Sequence, residues 1–210
     1  MPGPDAVLKI GGSLSRRPAA LRRLMRALAV QARRRLLLVV PGGGEFADEV
    51  RRADRRLALG DTPAHWMAIL AMDQYAYVLA RRAGRAAVVR GRRQVRTGRL
   101  NVLAPSAWLL RADPLPHTWD VTSDSIGAWV AGVLKARRLV LVKDVDGYLA
   151  ARGRSGPARR VSRGRLRGVV DRHFARTLPA RMDCWIVNGR NPARLVRLLE
   201  TGSAYGTEVT

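Results

Sequence analysis

Lysine is rare in this sequence. Of 39 basic residues only Lys9, Lys135 and Lys143 are lysines, and the other 36 are arginines. Lys9 stands beside a glycine turn, Lys9-Ile10-Gly11-Gly12-Ser13. A lysine kept there in an arginine-biased chain points to a task for a compact, movable ammonium rather than a planar guanidinium. A second glycine turn, Pro41-Gly42-Gly43-Gly44, also follows an apolar run and precedes a helical pattern. Glycine lets backbone N–H groups approach an anion closely, and the helix start that follows adds partial positive charge. One such loop is most often only a turn. Two at the carboxyl ends of consecutive strands suggest two phosphate groups bound at one sheet edge. Neither loop matches GxxxxGK[ST] or GxGxxG, which excludes the two commonest nucleotide-binding fingerprints.

The elements that must hold these loops follow from periodicity. Ala6–Ile10 reads as a short buried strand. Pro18 opens a helix whose apolar residues Leu21, Leu24, Met25 and Leu28 share one face. Leu36–Val40 is a continuous apolar run, as for a parallel strand covered on both sides. Helices are predicted from about Glu45 to Arg56, Pro63 to Arg82 and Ser123 to Ala136. Further strands are predicted at Ala86–Arg90, Asn101–Ala104, Leu139–Val142 and Asp183–Val187, with a last helix capped by Asn191 and opened by Pro192. Residues 151–167 are rich in arginine, glycine and serine and read as a surface loop. Strand and helix alternate throughout, which predicts one three-layer αβα sandwich with a largely parallel central sheet.

Composition bounds the function. A hydrophobic fraction of 47% allows a real core, and no apolar run nears the roughly 18 residues of a membrane span. The first residues carry no leader pattern, so a cytoplasmic protein is expected. A single cysteine, Cys184, and histidines only at 65, 117 and 173 leave no disulfide and no metal centre to expect. The net charge of +23 would normally suggest a polyanion partner. Here the arginines are spread along the whole chain, as a GC-rich genome would produce, and nucleic acid is not the expected partner.

Five segments together are recognisable. Val7-Leu8-Lys9-Ile10-Gly11-Gly12-Ser13, Val40-Pro41-Gly42-Gly43-Gly44-Glu45-Phe46, Thr122-Ser123-Asp124-Ser125, Leu141-Val142-Lys143-Asp144-Val145-Asp146-Gly147 and Gly206-Thr207 resemble, in order, the amino acid kinase superfamily. Within it, Ala64–Gln74 and Trp119–Ser125 look most like the small kinases of methanofuran biosynthesis, which act on [5-(aminomethyl)furan-3-yl]methyl phosphate. The resemblance implies an αβα sandwich that moves the γ-phosphoryl of ATP, accompanied by Mg2+, onto a small phosphorylated acceptor. It also implies a homo-oligomer, an acceptor half of about 1–137 and a nucleotide half of about 138–210.

The same resemblance assigns roles. Lys9, Asp124 and Lys143 would be catalytic, Asp124 orienting the lysines. Lys9, Gly11, Gly12, Ser13, Lys143, Asp144 and Gly147 would face the nucleotide. Gly42, Gly43, Gly44, His65, Asp73, Asp120 and Thr122 would face the acceptor, with Asp73 pairing an amine. Many members carry a second catalytic lysine after the Asp-Val-Asp-Gly turn; this chain has none there, so Lys143 or an arginine of 152–167 takes the part, or the ATP chemistry is reduced. Each assignment has a plainer alternative: His65 a surface or capping group, Asp73 paired to a structural arginine, Asp120 a helix-entry residue. Trp66, Trp119, Trp129 and Trp185 read as core, and Cys184 as a small buried hydrophobe. Another acceptor, such as a nucleoside monophosphate or isopentenyl phosphate, stands as the alternative function. The alternative outside that class is a weakened family member binding nucleic acid or oxyanions.

Overall fold

In a computed structural model, which describes residues 3–149, 156–166 and 168–210, the apolar runs become strands. These are β1 (Ala6–Ile10), β2 (Leu37–Pro41), β3 (Ala86–Val89), β4 (Leu100–Leu103), β5 (Arg138–Lys143), β6 (Arg160–Val161), β7 (Asp183–Asn188) and β8 (Thr207–Val209). They form one sheet in the order β3-β4-β2-β1-β5-β7-β8-β6. Every neighbouring pair is parallel except β7–β8. The helices are α1 (Pro18–Gln31), α2 (Gly44–Leu57), α3 (Asp61–Ala83), α4 (Ser106–Ala112), α5 (Ser123–Val133), α6 (Phe174–Thr177) and α7 (Pro192–Thr201). They cover both faces of the sheet, giving the expected αβα sandwich. No helix among the described residues is long and apolar enough to cross a membrane.

Strand periodicity decides where the chemistry points. Successive side chains alternate between faces. Ala6, Leu8 and Ile10 of β1 join α1, α3 and α7 in one core. Val7 of β1 and Leu139 and Leu141 of β5 join α5 and α6 in the other. Lys9 and Lys143 therefore fall on the α5 side. Lys9 is in register with Leu141, so Lys143 lies two residues further along the neighbouring strand on the same face. Gly127 of α5 passes directly over Lys9: a Cβ there would meet Lys9 Cβ at 3.2 Å.

Several local expectations are corrected. Helix α5 stops at Val133 rather than Ala136, because Lys135 turns the chain into the left-handed region at φ 51°. Asn191 is the N-cap of α7 by position but makes no side-chain capping bond. The expected loop at 151–167 lies partly outside the described residues, at 151–155 and 167. The described remainder is more ordered than expected: β6 pairs with β8, and Val161 and Leu166 are buried. Strands β6 and β8, of two and three residues, are too short for a periodic signal and form through pairing across the chain.

Helices α4 and α6 were likewise not expected, and α4 explains Asp73. The Asp73 carboxylate on α3 accepts hydrogen bonds from the backbone N–H of Ser106 at 3.0 Å and from its hydroxyl at 2.5 Å. It thus caps α4, whose own N-cap, Pro105, supplies no capping side chain. The partner observed is Ser106, not the structural arginine of the plainer reading. Asp73→Ala is expected to lower the unfolding free energy by about 1–3 kcal/mol, read as a lower denaturation midpoint at constant m. The kinetic constants should not move. A raised acceptor KM at an unchanged midpoint would show instead that this carboxylate faces the ligand.

Candidate active site

At the centre is one carboxylate between two ammonium groups. Asp124 lies in the first turn of α5 and is 4% exposed. Lys143 Nζ donates to its Oδ2 at 2.8 Å. Lys9 Nζ lies 2.9 Å from Oδ1, an ion pair whose angles leave Oδ1 without a directed hydrogen bond. Burial opposes the charge on Asp124, but the two lysines together outweigh it and hold its carboxyl below the usual range. Burial lowers the Lys143 pKa, Lys9 adds repulsion, and Asp124 only partly offsets both. Both ammonium groups pair with this one carboxylate, and Asp171 adds a further negative charge near Lys143. Lys143 is thus the second ammonium group on the carboxylate that Lys9 also meets. Among the loop arginines considered for the missing lysine's part, Arg160 pairs with Glu208 and Arg163 binds the carbonyls of Leu178 and Ala180. Arg152, Arg154 and Arg167 lie outside the described residues.

The two glycine loops meet backbone to backbone. A Cβ on Gly12 would lie 2.5 Å from the Gly44 nitrogen, and one on Gly42 would lie 2.7 Å from the Gly12 nitrogen. Gly44 adopts a φ of +57°, which glycine alone takes without strain. The loops do not offer every N–H, as the sequence suggested. Gly11 donates to Val142 O and Gly42 to Ile10 O, both at 2.8 Å, which extends the sheet. The amides of Gly12, Gly43 and Gly44 have no acceptor among the described residues. Gly147 is structural: its Cβ would lie 2.5 Å from Thr207 Oγ1, and that hydroxyl accepts from the Tyr148 N–H. Asp144 follows Lys143 at the sheet edge and enters no ion pair among the described residues.

A cavity of about 310 Å³ opens between the loops. Gly12, Ser13, Gly43, Gly44, His65 and Thr122 line it. The Thr122 hydroxyl is already engaged, accepting from Asp124 N–H at 3.3 Å and donating to Asp171 at 2.8 Å. Of the other expected acceptor residues, Gly42, Asp73 and Asp120 lie outside this lining; Asp120 is exposed and faces Arg172 at 3.6 Å. The His65 ring stacks on His117 with centroids 4.4 Å apart. Burial and then His117 lower its pKa, so at neutral pH it is an uncharged hydrogen-bonding group.

Sequence reasoning missed several of the lining residues. Trp119, read as core, is a wall of the cavity: its indole N–H donates to Asp54 at 2.8 Å and Arg51 sits 4.7 Å above its ring. Ser15 also lines the cavity and carries a buried hydroxyl with no partner among the described residues. Glu45 and Asp48 are the two carboxylates there. Asp48 is held by Arg16 at 3.3 Å and Arg51 at 3.2 Å, whereas Glu45 enters no ion pair among the described residues. Glu45 stood in the quoted glycine motif, and its acidic type next to three glycines was the signal available.

Comparison with known proteins follows this geometry. Residues 6–167 match the model of the amino acid kinase family. The chain is 30% identical, over 92% of its length and 92% of the relative's, to a [5-(aminomethyl)furan-3-yl]methyl phosphate kinase of Methanocaldococcus jannaschii. Among solved structures, uridylate kinase from Archaeoglobus fulgidus superposes with a TM-score of 0.76 at 23% identity, covering 98% of this chain and all of that one. The isopentenyl phosphate kinase of T. acidophilum gives a TM-score of 0.62 at 18% identity, covering 98% and 99%. From the match across most of its length, and from the kinase at 30% identity, the chain belongs to the amino acid kinase family.

Proposed function

We propose that this kinase moves the γ-phosphoryl group of ATP onto the phosphate of a small acceptor, and that the acceptor is [5-(aminomethyl)furan-3-yl]methyl phosphate. The observation that carries the reaction type is the pair of ammonium groups on one buried carboxylate, beside two glycine loops with free amides. The relative at 30% identity supports the choice of acceptor.

The chemistry follows from charge. An acceptor phosphate is already ionised, so no general base is needed. Positioning and neutralisation of the moving charge supply the rate. Lys9 and Lys143, on adjacent strands, are suited to follow the phosphoryl oxygens from one side of the transfer to the other. Asp124 fixes both and keeps them from swinging into solvent. The amides of Gly12, Gly43 and Gly44 hold phosphate oxygens, and neutral His65 adds a hydrogen bond on the acceptor side.

Magnesium would enter with the nucleotide, while Asp124 is engaged by two lysines. When present it supplies further neutralisation of the nucleotide phosphates. The acceptor's ammonium falls to Glu45, the cavity carboxylate left without an ion pair, in place of Asp73. Met67, Leu70 and Tyr77 are exposed along α3 and support the homo-oligomer.

The reading is tested by ATP consumption with the furan phosphate against uridine monophosphate and isopentenyl phosphate. The furan phosphate should give the highest kcat/KM, and a higher value for either rival would reassign the acceptor. Lys9→Ala should lower kcat by about 10²–10³, the loss typical of one transition-state charge contact, without unfolding the protein. A rate within about threefold of wild type would remove Lys9 from the mechanism, since a true contact of this kind costs far more.

Lys143 gives a pH test. It must be protonated to bind phosphate oxygens, and its pKa is lowered by burial and Lys9. The kcat/KM should therefore fall on an alkaline limb that begins below the ordinary lysine value. Lys143→Arg, which stays charged, should remove that limb even if its rate is lower. Persistence of the limb in Lys143→Arg would assign it to another group. Glu45→Gln should raise the KM for the amine-bearing acceptor by about tenfold, corresponding to the loss of a charged hydrogen bond, and leave an acceptor without the amine unaffected. Equal harm to both acceptors would separate Glu45 from the amine.

A further inference from the structure

We propose that Asp171 is a positioning residue for the reaction, clamping the Thr122–Ser125 segment so that the Asp124 carboxylate stands between Lys9 and Lys143. The inference rests on the phosphoryl-transfer reading above. Asp171 lies in the segment before α6, 47 positions from Asp124 in the chain, and nothing around it in sequence marks it.

Its carboxylate is saturated by one short stretch of chain. Oδ2 accepts from the Thr122 N–H at 3.0 Å, the Thr122 hydroxyl at 2.8 Å and the Ser125 N–H at 3.0 Å. Oδ1 accepts from the Ser125 hydroxyl at 2.5 Å and from the His173 N–H at 3.1 Å. Four of these five donors flank Asp124. The Thr122 hydroxyl completes the link by accepting from Asp124's own N–H. The start of α5 is thus gripped at Thr122 and Ser125 by Asp171, and the Asp124 carboxylate is left to the lysines.

The grip is firm on both sides. Ser125 is fully buried, so its hydroxyl has no water to replace a lost acceptor. Asp171 lies between Leu166 and Phe174, which with Leu178 are buried in the core beside α5. An acid at a helix N-terminus also gains from the unpaired N–H groups there.

Asp171 has a second, electrostatic effect that a purely structural residue would not have. The charged groups facing Lys143 are Lys9 from β1, Asp124 from α5 and Asp171 from the segment before α6. Lys9 favours loss of the Lys143 proton, and the two carboxylates oppose it. Removing the charge of Asp171 should move Lys143 titration to lower pH.

The chain's three lysines make that titration directly observable. Selective carbon-13 labelling at lysine Cε gives three NMR signals, with Lys143 assigned by its loss in Lys143→Arg. The experiment compares wild type, Asp171→Asn and Asp171→Ala by melting, by this titration without substrates, and by steady-state kinetics. Asp171→Asn keeps an oxygen for Thr122 and Ser125 and is the milder variant. Both should fold, Lys143 should titrate at lower pH than in wild type, and kcat should fall by about 10–100-fold with the KM for ATP little changed, as for a small displacement of a reacting group. An unmoved titration, an unchanged kcat, or loss of the melting transition in both variants would overturn the proposal. If wild type fails to phosphorylate the furan phosphate while the Lys143 shift is present, the acceptor assignment fails and the positioning role stands.

Discussion

Two ammonium groups buried against a single carboxylate are a poor bargain for stability. Desolvating each ion costs several kcal/mol, and one carboxylate cannot neutralise both. The structure around Asp124 is organised by that constraint. The lysines come from adjacent parallel strands, in a register that puts both on one face. Gly127 lets α5 pass close enough to Lys9 for its first turn to deliver the carboxylate. The helix start favours the negative charge that the lysines require. What results is the equipment of a phosphoryl transferase: two ammonium groups sharing one directly paired carboxylate, and so able to take up phosphate oxygens.

The cavity between the glycine loops applies a different physics. It holds backbone amides, an uncharged histidine and carboxylates of which Asp48 is already paired. Arginine is abundant in the chain, yet Arg16 and Arg51 at this cavity are held by Asp48 rather than left free. Strong fixed cations would bind the phosphates before and after transfer alike, whereas amides and a neutral imidazole hold without trapping. The +23 charge is therefore a property of the chain's composition, and the reaction depends on a few positions within it.

The meeting of Lys9, Asp124 and Lys143 was legible in the sequence because its signals are local. Lysine stands out in an arginine-rich chain, paired glycines after apolar runs mark turns, and Thr-Ser-Asp-Ser opens an apolar helix. What stayed hidden depends on partners far along the chain. Asp73 among apolar residues had to have a partner, but nothing nearby could say that it was Ser106. Trp119 could be core or wall depending on where α2 lay. Glycine at 11 and 42 was read as free amide, yet both N–H groups continue the sheet, because only the register decides which donor is spent on a neighbouring strand. Strand β8 and the Asp171 clamp arise wholly from long-range pairing.

The contact between Gly12 and Gly44 sets a limit on how such a chain can diversify. Backbone touches backbone there, so no side chain can be introduced on that seam and the two loops cannot drift apart independently. The gap across which a phosphoryl must travel is fixed by main-chain geometry and is blind to the choice of acceptor. Beyond that seam, helices α2 and α3 and the stretch at 119–121 line the cavity with side chains. New acceptors can be accommodated there by ordinary substitution, while the transfer distance is inherited unchanged.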